Sequence, residues 1–415
     1  MGLLSKFGMK EATRLTLEGK LPEAMNALRK MLTGSGQSES SDSLAQPEAA
    51  QEPRPIIDRL LPPQKTGSTR MAGPSEDSSC SVPIKRRTPP LIDRFKGFAD
   101  GLPERGFPDW LGRWKENGEK SPPSHLDKGA TFEEHNFANA AGARTYKLYV
   151  PRSYDGSALP LVVMLHGCTQ SPDDFAAGTR MNQVAEEQNF IVAYPAQSKA
   201  ANSSKCWNWF NRNDQQRGKG EASLIAGITK QIMDEFSIDA RRVYVAGLSA
   251  GGAAAAIMGK TYPDLYAAVG IHSGLPCGAA SDVASAFAAM KHGNGSHKPE
   301  PHQGGNIVPT IVFHGDADKT VNSINGDDII MQSKGGVTLE RTVSHGQSDG
   351  GKKFTRIVES NVDGRPLLEH WLLHGAGHAW SGGSTAGSFT DPAGPDASRE
   401  MIRFFLSSMK TESGC

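Results

Sequence analysis

The sequence predicts an α/β domain built on a doubly wound, mainly parallel sheet over residues 131–410, and three observations predict it. Short continuous apolar runs recur along that region: Leu161-Val162-Val163-Met164-Leu165, Phe190-Ile191-Val192-Ala193-Tyr194, Val243-Tyr244-Val245-Ala246, Ala268-Val269-Gly270-Ile271 and Thr310-Ile311-Val312-Phe313. Runs of that length and composition suit strands covered on both faces, as parallel strands are. Helix-length stretches alternate with them at 174–188, 221–236 and 250–262, and that alternation is the signature of a doubly wound sheet. Finally, the composition changes sharply before residue 131, so the sheet has a clear beginning.

The elements follow in order. Residues 1–32 read as a helical hairpin, 9–17 and 22–32, separated by Glu18-Gly19-Lys20. Leu21, Met25, Leu28 and Leu32 fall on one helical face, with Pro22 and Glu23 suited to the helix start. Two short helices bury too little to stand alone and need something to dock on. The pattern resembles half of a tetratricopeptide unit, but one unit is not an array. Residues 33–130 are rich in Ser, Pro, Gln, Glu and Arg and read as a disordered linker, because they cannot bury enough apolar surface to offset chain entropy. Residues 145–150 alternate like a half-buried strand. Later, 354–359 and 367–373 flank Asp363-Gly364, a hairpin signal. A closing helix is expected from about Pro395 to Met409, with Asp396 near its start.

Composition narrows the partners. Lys plus Arg and Asp plus Glu number 45 each, so the formal net charge is zero. A nucleic-acid protein normally carries a basic excess, so none is expected as a partner, and Lys85-Arg86-Arg87 reads as a solvated cluster. No apolar run reaches transmembrane length. The N-terminus, Met1-Gly2-Leu3-Leu4-Ser5-Lys6, has no continuous apolar segment of the secretory kind, and Lys6 stands where a myristoylation site needs Ser or Thr. By itself that end points to the cytoplasm. The five cysteines, Cys80, Cys168, Cys206, Cys277 and Cys415, make no disulfide framework, though they leave room for one or two bridges. The twelve histidines form no ligand-spaced cluster, and no Gly-rich phosphate loop is present, so neither a metal nor a cofactor is expected.

The chemistry concentrates in three places. Gly247-Leu248-Ser249-Ala250-Gly251 matches G-x-S-x-G, and so does Gly346-Gln347-Ser348-Asp349-Gly350. The motif has meaning only on a sharp turn between a buried strand and a helix. Residues 242–246 and the small-residue run from Ala250 supply both around Ser249. Ser348 lies in a polar, Gly-rich stretch and reads as a surface turn. Ser249 is therefore the expected nucleophile, and a serine needs a base oriented by a carboxylate. In this strand–turn–helix context the chain order is Ser, then Asp or Glu, then His. After the strand at 310–313, Asp316 and Asp318 are both candidates; Asp318 is favoured because Asp316 is still close to the turn leaving the strand, and the other is left to cap the loop. After the strand at 367–373, His378 lies in a Gly-rich loop and is the expected base, with His374 and His370 as strand or strand-end alternatives. Trp380 beside it is either a substrate wall or a core residue. The two oxyanion donors are expected from the backbone N–H of Ala250 and of Cys168, the latter in His166-Gly167-Cys168-Thr169-Gln170.

Leu165-His166-Gly167-Cys168-Thr169-Gln170, Cys206-Trp207-Asn208-Trp209-Phe210, Gly247-Leu248-Ser249-Ala250-Gly251, His314-Gly315-Asp316-Ala317-Asp318 and Gly377-His378-Ala379-Trp380 occur together and in this order. The set resembles the poly(3-hydroxybutyrate) depolymerase esterases, α/β-hydrolases related to feruloyl and acetylxylan esterases, over about 131–409. The resemblance implies a triad of Ser249, Asp318 and His378, which raises Asp318 over Asp316. It implies that Trp207 and Trp209 lie near the substrate cleft, and that Cys168 and Cys206 are bridged, with two buried free thiols as the alternative. It implies hydrolysis of a polyester or a small ester through an acyl-serine, with feruloyl or acetylxylan esters as the second reading. A third reading is a polymer-granule binding protein recruited through its N-terminal helices. The resemblance points to an extracellular protein although no signal peptide is visible, with the cytoplasm as the alternative. Oligomeric state is not legible.

Overall fold

The computed structural model describes residues 128–293 and 307–410. The expected helical hairpin at 1–32 and nearly all of the linker at 33–130 lie outside the described residues. The sheet begins with β1 (Thr131–Asn139) and β2 (Gly142–Val150), then β3 (Leu159–Leu165), β4 (Ile191–Pro195), β5 (Ile238–Leu248), β6 (Ala268–His272), β7 (Thr310–Gly315), β8 (Glu340–Gln347), β9 (Lys353–Ser360) and β10 (Pro366–Leu373). These ten strands form one sheet in the order β1-β2-β4-β3-β5-β6-β7-β10-β9-β8. Pairings from β4 through β3, β5, β6 and β7 to β10 are parallel, while β1-β2, β2-β4, β10-β9 and β9-β8 are antiparallel.

Alternation within the apolar runs sorts their side chains onto two faces. Leu161, Val163 and Leu165 of β3 and Val243 and Val245 of β5 face one core. That core is covered by α3 (Gly220–Glu235), α4 (Ala250–Thr261), α5 (Val283–His292) and α6 (Ile324–Lys334). Val162 and Met164, with Tyr244, Ala246 and Leu248, face the other core. This second core lies under α1 (Pro172–Thr179), α2 (Met181–Gln188) and α7 (Ala397–Ser407). Phe405 of α7 stacks on Tyr244 with ring centroids 4.9 Å apart. A run that is apolar at every position is thus required because both faces are covered.

Several boundaries differ from the sequence expectation. The helix expected at 174–188 is two helices, because Arg180 adopts φ 56° and ψ 23°. Its guanidinium donates to Gly382 O at 2.7 Å and Asp396 Oδ2 at 3.0 Å, so tertiary bonds hold a break that propensity alone would not make. The closing helix spans only Ala397–Ser407, with Asp396 as its N-cap accepting from Arg399 N at 3.0 Å. Strands β1 and β8 and helices α5 and α6 were not expected. Both strands are sheet edges with mostly exposed side chains, so they carry no apolar alternation. Gly346 and Gln347 end β8, and Ser348 opens the turn into β9, its N donating to Lys352 O at 2.9 Å. The second G-x-S-x-G therefore sits on a hairpin turn. Among the described residues no helix is long and apolar enough to cross a membrane.

Candidate active site

Ser249 stands between the end of β5 and the first residue of α4, with φ 58° and ψ −120°. Non-glycine residues rarely take that conformation, and holding one there costs on the order of 1–3 kcal/mol. The surrounding glycines allow so tight a turn. A Cβ at Gly247 would strike the Gly251 carbonyl, and one at Gly251 would strike the carbonyls of Leu165 and His166. The start of α4 can thus press against the end of β3. Ser249 N donates to His272 O and Ala253 N to Ser249 O, both at 2.9 Å.

The expected carboxylate and base meet across the ends of β7 and β10. His378 Nδ1 and Asp318 Oδ2 are 2.7 Å apart. Asp318 Oδ1 accepts from Thr320 N at 2.8 Å and Val321 N at 2.9 Å, and its side chain is completely buried. Burial raises the carboxyl's pKa, but the hydrogen bond and charge of His378, the Val321 amide and His314 outweigh it and leave it below the usual value. An ionised Asp318 can only accept, so it fixes the His378 proton on Nδ1 and leaves Nε2 as the free base. His378 Nε2 is buried and has no hydrogen-bond partner among the described residues. The structure thus joins Asp318 to His378 but forms no hydrogen bond from Ser249 Oγ to Nε2; contacts of this kind are commonly loose before substrate binds.

Asp316 is occupied elsewhere. It receives Gly375 N at 2.7 Å and lies 2.9 Å from His374 Nδ1, fastening the turn that leaves β10. His370 is buried within β10, 3.4 Å from Asp327.

In the 166–170 loop, where one oxyanion donor is expected, the amides flanking Cys168 are committed. Gly167 N donates to Gln170 Oε1 at 2.9 Å and Thr169 N to Ser204 O at 2.7 Å. Neither Cys168 N nor Ala250 N has an acceptor among the described residues. Cys168 and Cys206 are joined in a disulfide.

The tryptophans stand differently from the expectation for cleft walls. Trp207, Trp209 and Trp380 are all buried, the most accessible of them only 6% exposed. Trp207 Nε1 donates to His166 O at 3.1 Å, at the start of the 166–170 loop. Trp209 packs edge-on against Phe210 in the core over α3 and α4. Trp380 donates to Ser398 Oγ at 3.1 Å and stacks on His272. Aromatic bulk near a motif is therefore used here to brace loops, since the polar edge of each of two rings finds an internal partner.

Residues that no motif revealed tie the loops together. His272 ends β6; its carbonyl holds Ser249 N, and its Nε2 accepts from Ser381 N at 3.0 Å, three residues past His378. Burial lowers its pKa to about 3, so the ring stays neutral. Gln170 Nε2 reaches Asp174 Oδ2 at 2.9 Å and Ser388 O at 3.1 Å, binding the 166–170 loop to the segment beyond His378. Only Gln170 had a sequence signal, as part of a motif.

Residues 144–337 match the family model described as esterase PHB depolymerase. The match ends before β10, so His378 rests on geometry and not on the matched stretch. Over 259 residues the chain is 32% identical to poly(3-hydroxyalkanoate) depolymerase C of Paucimonas lemoignei, covering 59% of this chain and 60% of that protein. It is 29% identical over 258 residues to feruloyl esterase B of Neurospora crassa, covering 58% of this chain and 85% of that one. The chain thus spans less than two thirds of the depolymerase's length. Acetyl xylan esterase from Aspergillus awamori superposes with a TM-score of 0.52 at 20% identity, over 66% of this chain and 99% of the other. That likeness shows the α/β-hydrolase fold.

Proposed function

We propose that this chain is a serine hydrolase of carboxylic esters that works through an acyl-Ser249 intermediate on poly(3-hydroxybutyrate) or short hydroxyalkanoate oligomers. The observation that carries the reading is the buried Asp318–His378 pair, its Nε2 unpartnered, on the same sheet edge as a serine held at positive φ. His378 Nε2 takes the Ser249 Oγ proton as Oγ bonds to the acyl carbon, and Cys168 N and Ala250 N receive the oxyanion. The protonated imidazole then gives its proton to the leaving alkoxide. Water, deprotonated by the same nitrogen, releases the acid and restores Ser249.

The 32% identity to a polyhydroxyalkanoate depolymerase favours the polyester. The feruloyl esterase relative keeps a second reading, an aromatic or acetyl ester of plant polysaccharide. The Cys168–Cys206 bridge favours an oxidising compartment and so an extracellular site of action. The test is a panel of 3-hydroxybutyrate oligomers, methyl ferulate, acetylated xylan and p-nitrophenyl butyrate, with Ser249→Ala as control. The variant should lose turnover by roughly 10⁴-fold or more on every substrate the parent accepts. Near-normal turnover by Ser249→Ala would overturn the mechanism; preference for methyl ferulate would overturn the polyester assignment.

A further inference from the structure

Glu221 lies in the first turn of α3, outside every motif, yet its carboxylate is buried, the side chain 8% exposed. It accepts from Asn208 N at 2.7 Å, Asn208 Nδ2 at 2.8 Å, Arg144 Nη2 at 3.4 Å and the Gln197 side-chain amide. Such a carboxylate holds two segments at once. The first is the turn after β4, where Gln197 N donates to His166 Nε2 at 3.0 Å. The second is the 206–208 segment, where Cys206 is bridged to Cys168, Cys206 O accepts the Gln197 amide at 2.9 Å, and the Trp207 ring donates to His166 O.

The His166 contact settles a tautomer. A backbone N–H can only donate, so Nε2 is the acceptor and the ring proton is on Nδ1. Nδ1 lies 2.7 Å from Gly167 O and donates to it. No cis peptide occurs among the described residues, and in a trans peptide the C=O and the following N–H point in opposite directions. With Gly167 O pinned toward His166, the Cys168 N–H is turned away from that ring and left without a partner in the loop.

We propose that Glu221 is a positioning residue for the oxyanion loop, aiming the Cys168 N–H through Gln197 and His166. The inference rests on the acyl-serine reading above. Glu221→Gln keeps the volume but turns an amide donor toward the donors of Gln197 and Asn208, so the turn after β4 must shift. An oxyanion donor is worth roughly 10²–10³ in rate, so a mis-aimed one should lower kcat about tenfold to a hundredfold. KM for p-nitrophenyl butyrate should stay within about twofold, because the ground-state carbonyl makes little of that bond.

The experiment measures kcat, KM and the rate of Ser249 labelling by a fluorophosphonate in the full chain, for the parent, Glu221→Gln and Gln197→Ala. Labelling also passes through an oxyanion and should slow in parallel with kcat, with no free thiol appearing at Cys168. If Glu221→Gln does not fold, Gln197→Ala, which cuts the link and keeps the backbone bond to His166, decides by the same readings. A lowered melting temperature with kcat and labelling within twofold of the parent would overturn the inference and leave the esterase reading standing. A parent that neither labels nor turns over any ester would instead sink the esterase reading itself.

Discussion

Asp316 and Asp318 stand two residues apart on one loop, yet each takes a different histidine. Asp316 and His374 form their pair at the surface, with side chains 38% and 39% exposed, while Asp318 is sealed beneath His378. Solvent screens the first pair and leaves it little worth, whereas the second fixes the tautomer of the proposed base. Asp318→Asn should therefore lower kcat by roughly 10³–10⁴ with little change in KM. Asp316→Asn should stay within a few-fold of the parent. Equal losses in the two variants, measured on p-nitrophenyl butyrate, would refute the assignment. Sequence order narrowed the carboxylate to this loop, but burial, which separates the two, depends on contacts from β10 and its following turn.

At the scale of elements, the buried strands were legible because each carries an apolar residue at nearly every position, and the elbow because strand, turn and small-residue helix are contiguous. Edge strands β1 and β8 were not, since solvent on their side chains removes the pattern. Nor was the network around Glu221, whose partners at 144, 197 and 208 meet only through folding. Close approach of α4 to β3 is the element-level requirement of the site. Gly251→Ala places a methyl against the Leu165 carbonyl and should force the two apart, costing about 1–3 kcal/mol of stability. Because Ala250 N moves with the helix start, kcat should fall tenfold or more, since rate is steeply sensitive to such displacements. A lower melting temperature with unchanged kcat would show that the oxyanion donor does not depend on that packing.

Across the whole domain, four buried imidazoles set the response to acid. Burial lowers the pKa of His166, His314 and His370 to about 4 and that of His272 to about 3, against an ordinary 6.5. Between about pH 4 and 6.5 the unfolded chain therefore binds more protons than the folded one, so stability falls as pH falls. Each proton contributes up to about 1.4 kcal/mol per pH unit, so the four together contribute up to about 5.5 kcal/mol per pH unit. Asp316 and Asp318, with lowered pKa values, act in the same direction at still lower pH, losing their contribution as pH drops through the folded values. The melting temperature should drop steeply from pH 7 to pH 5; a flat profile over that interval would contradict this account. The same domain carries Ser249 at a backbone angle that only glycine adopts without penalty. Directed evolution for heat resistance alone would thus be rewarded for glycine at 249, and under the proposed acyl-serine mechanism every such winner would be catalytically dead. Screens for a hardier variant must therefore score turnover and survival in the same well.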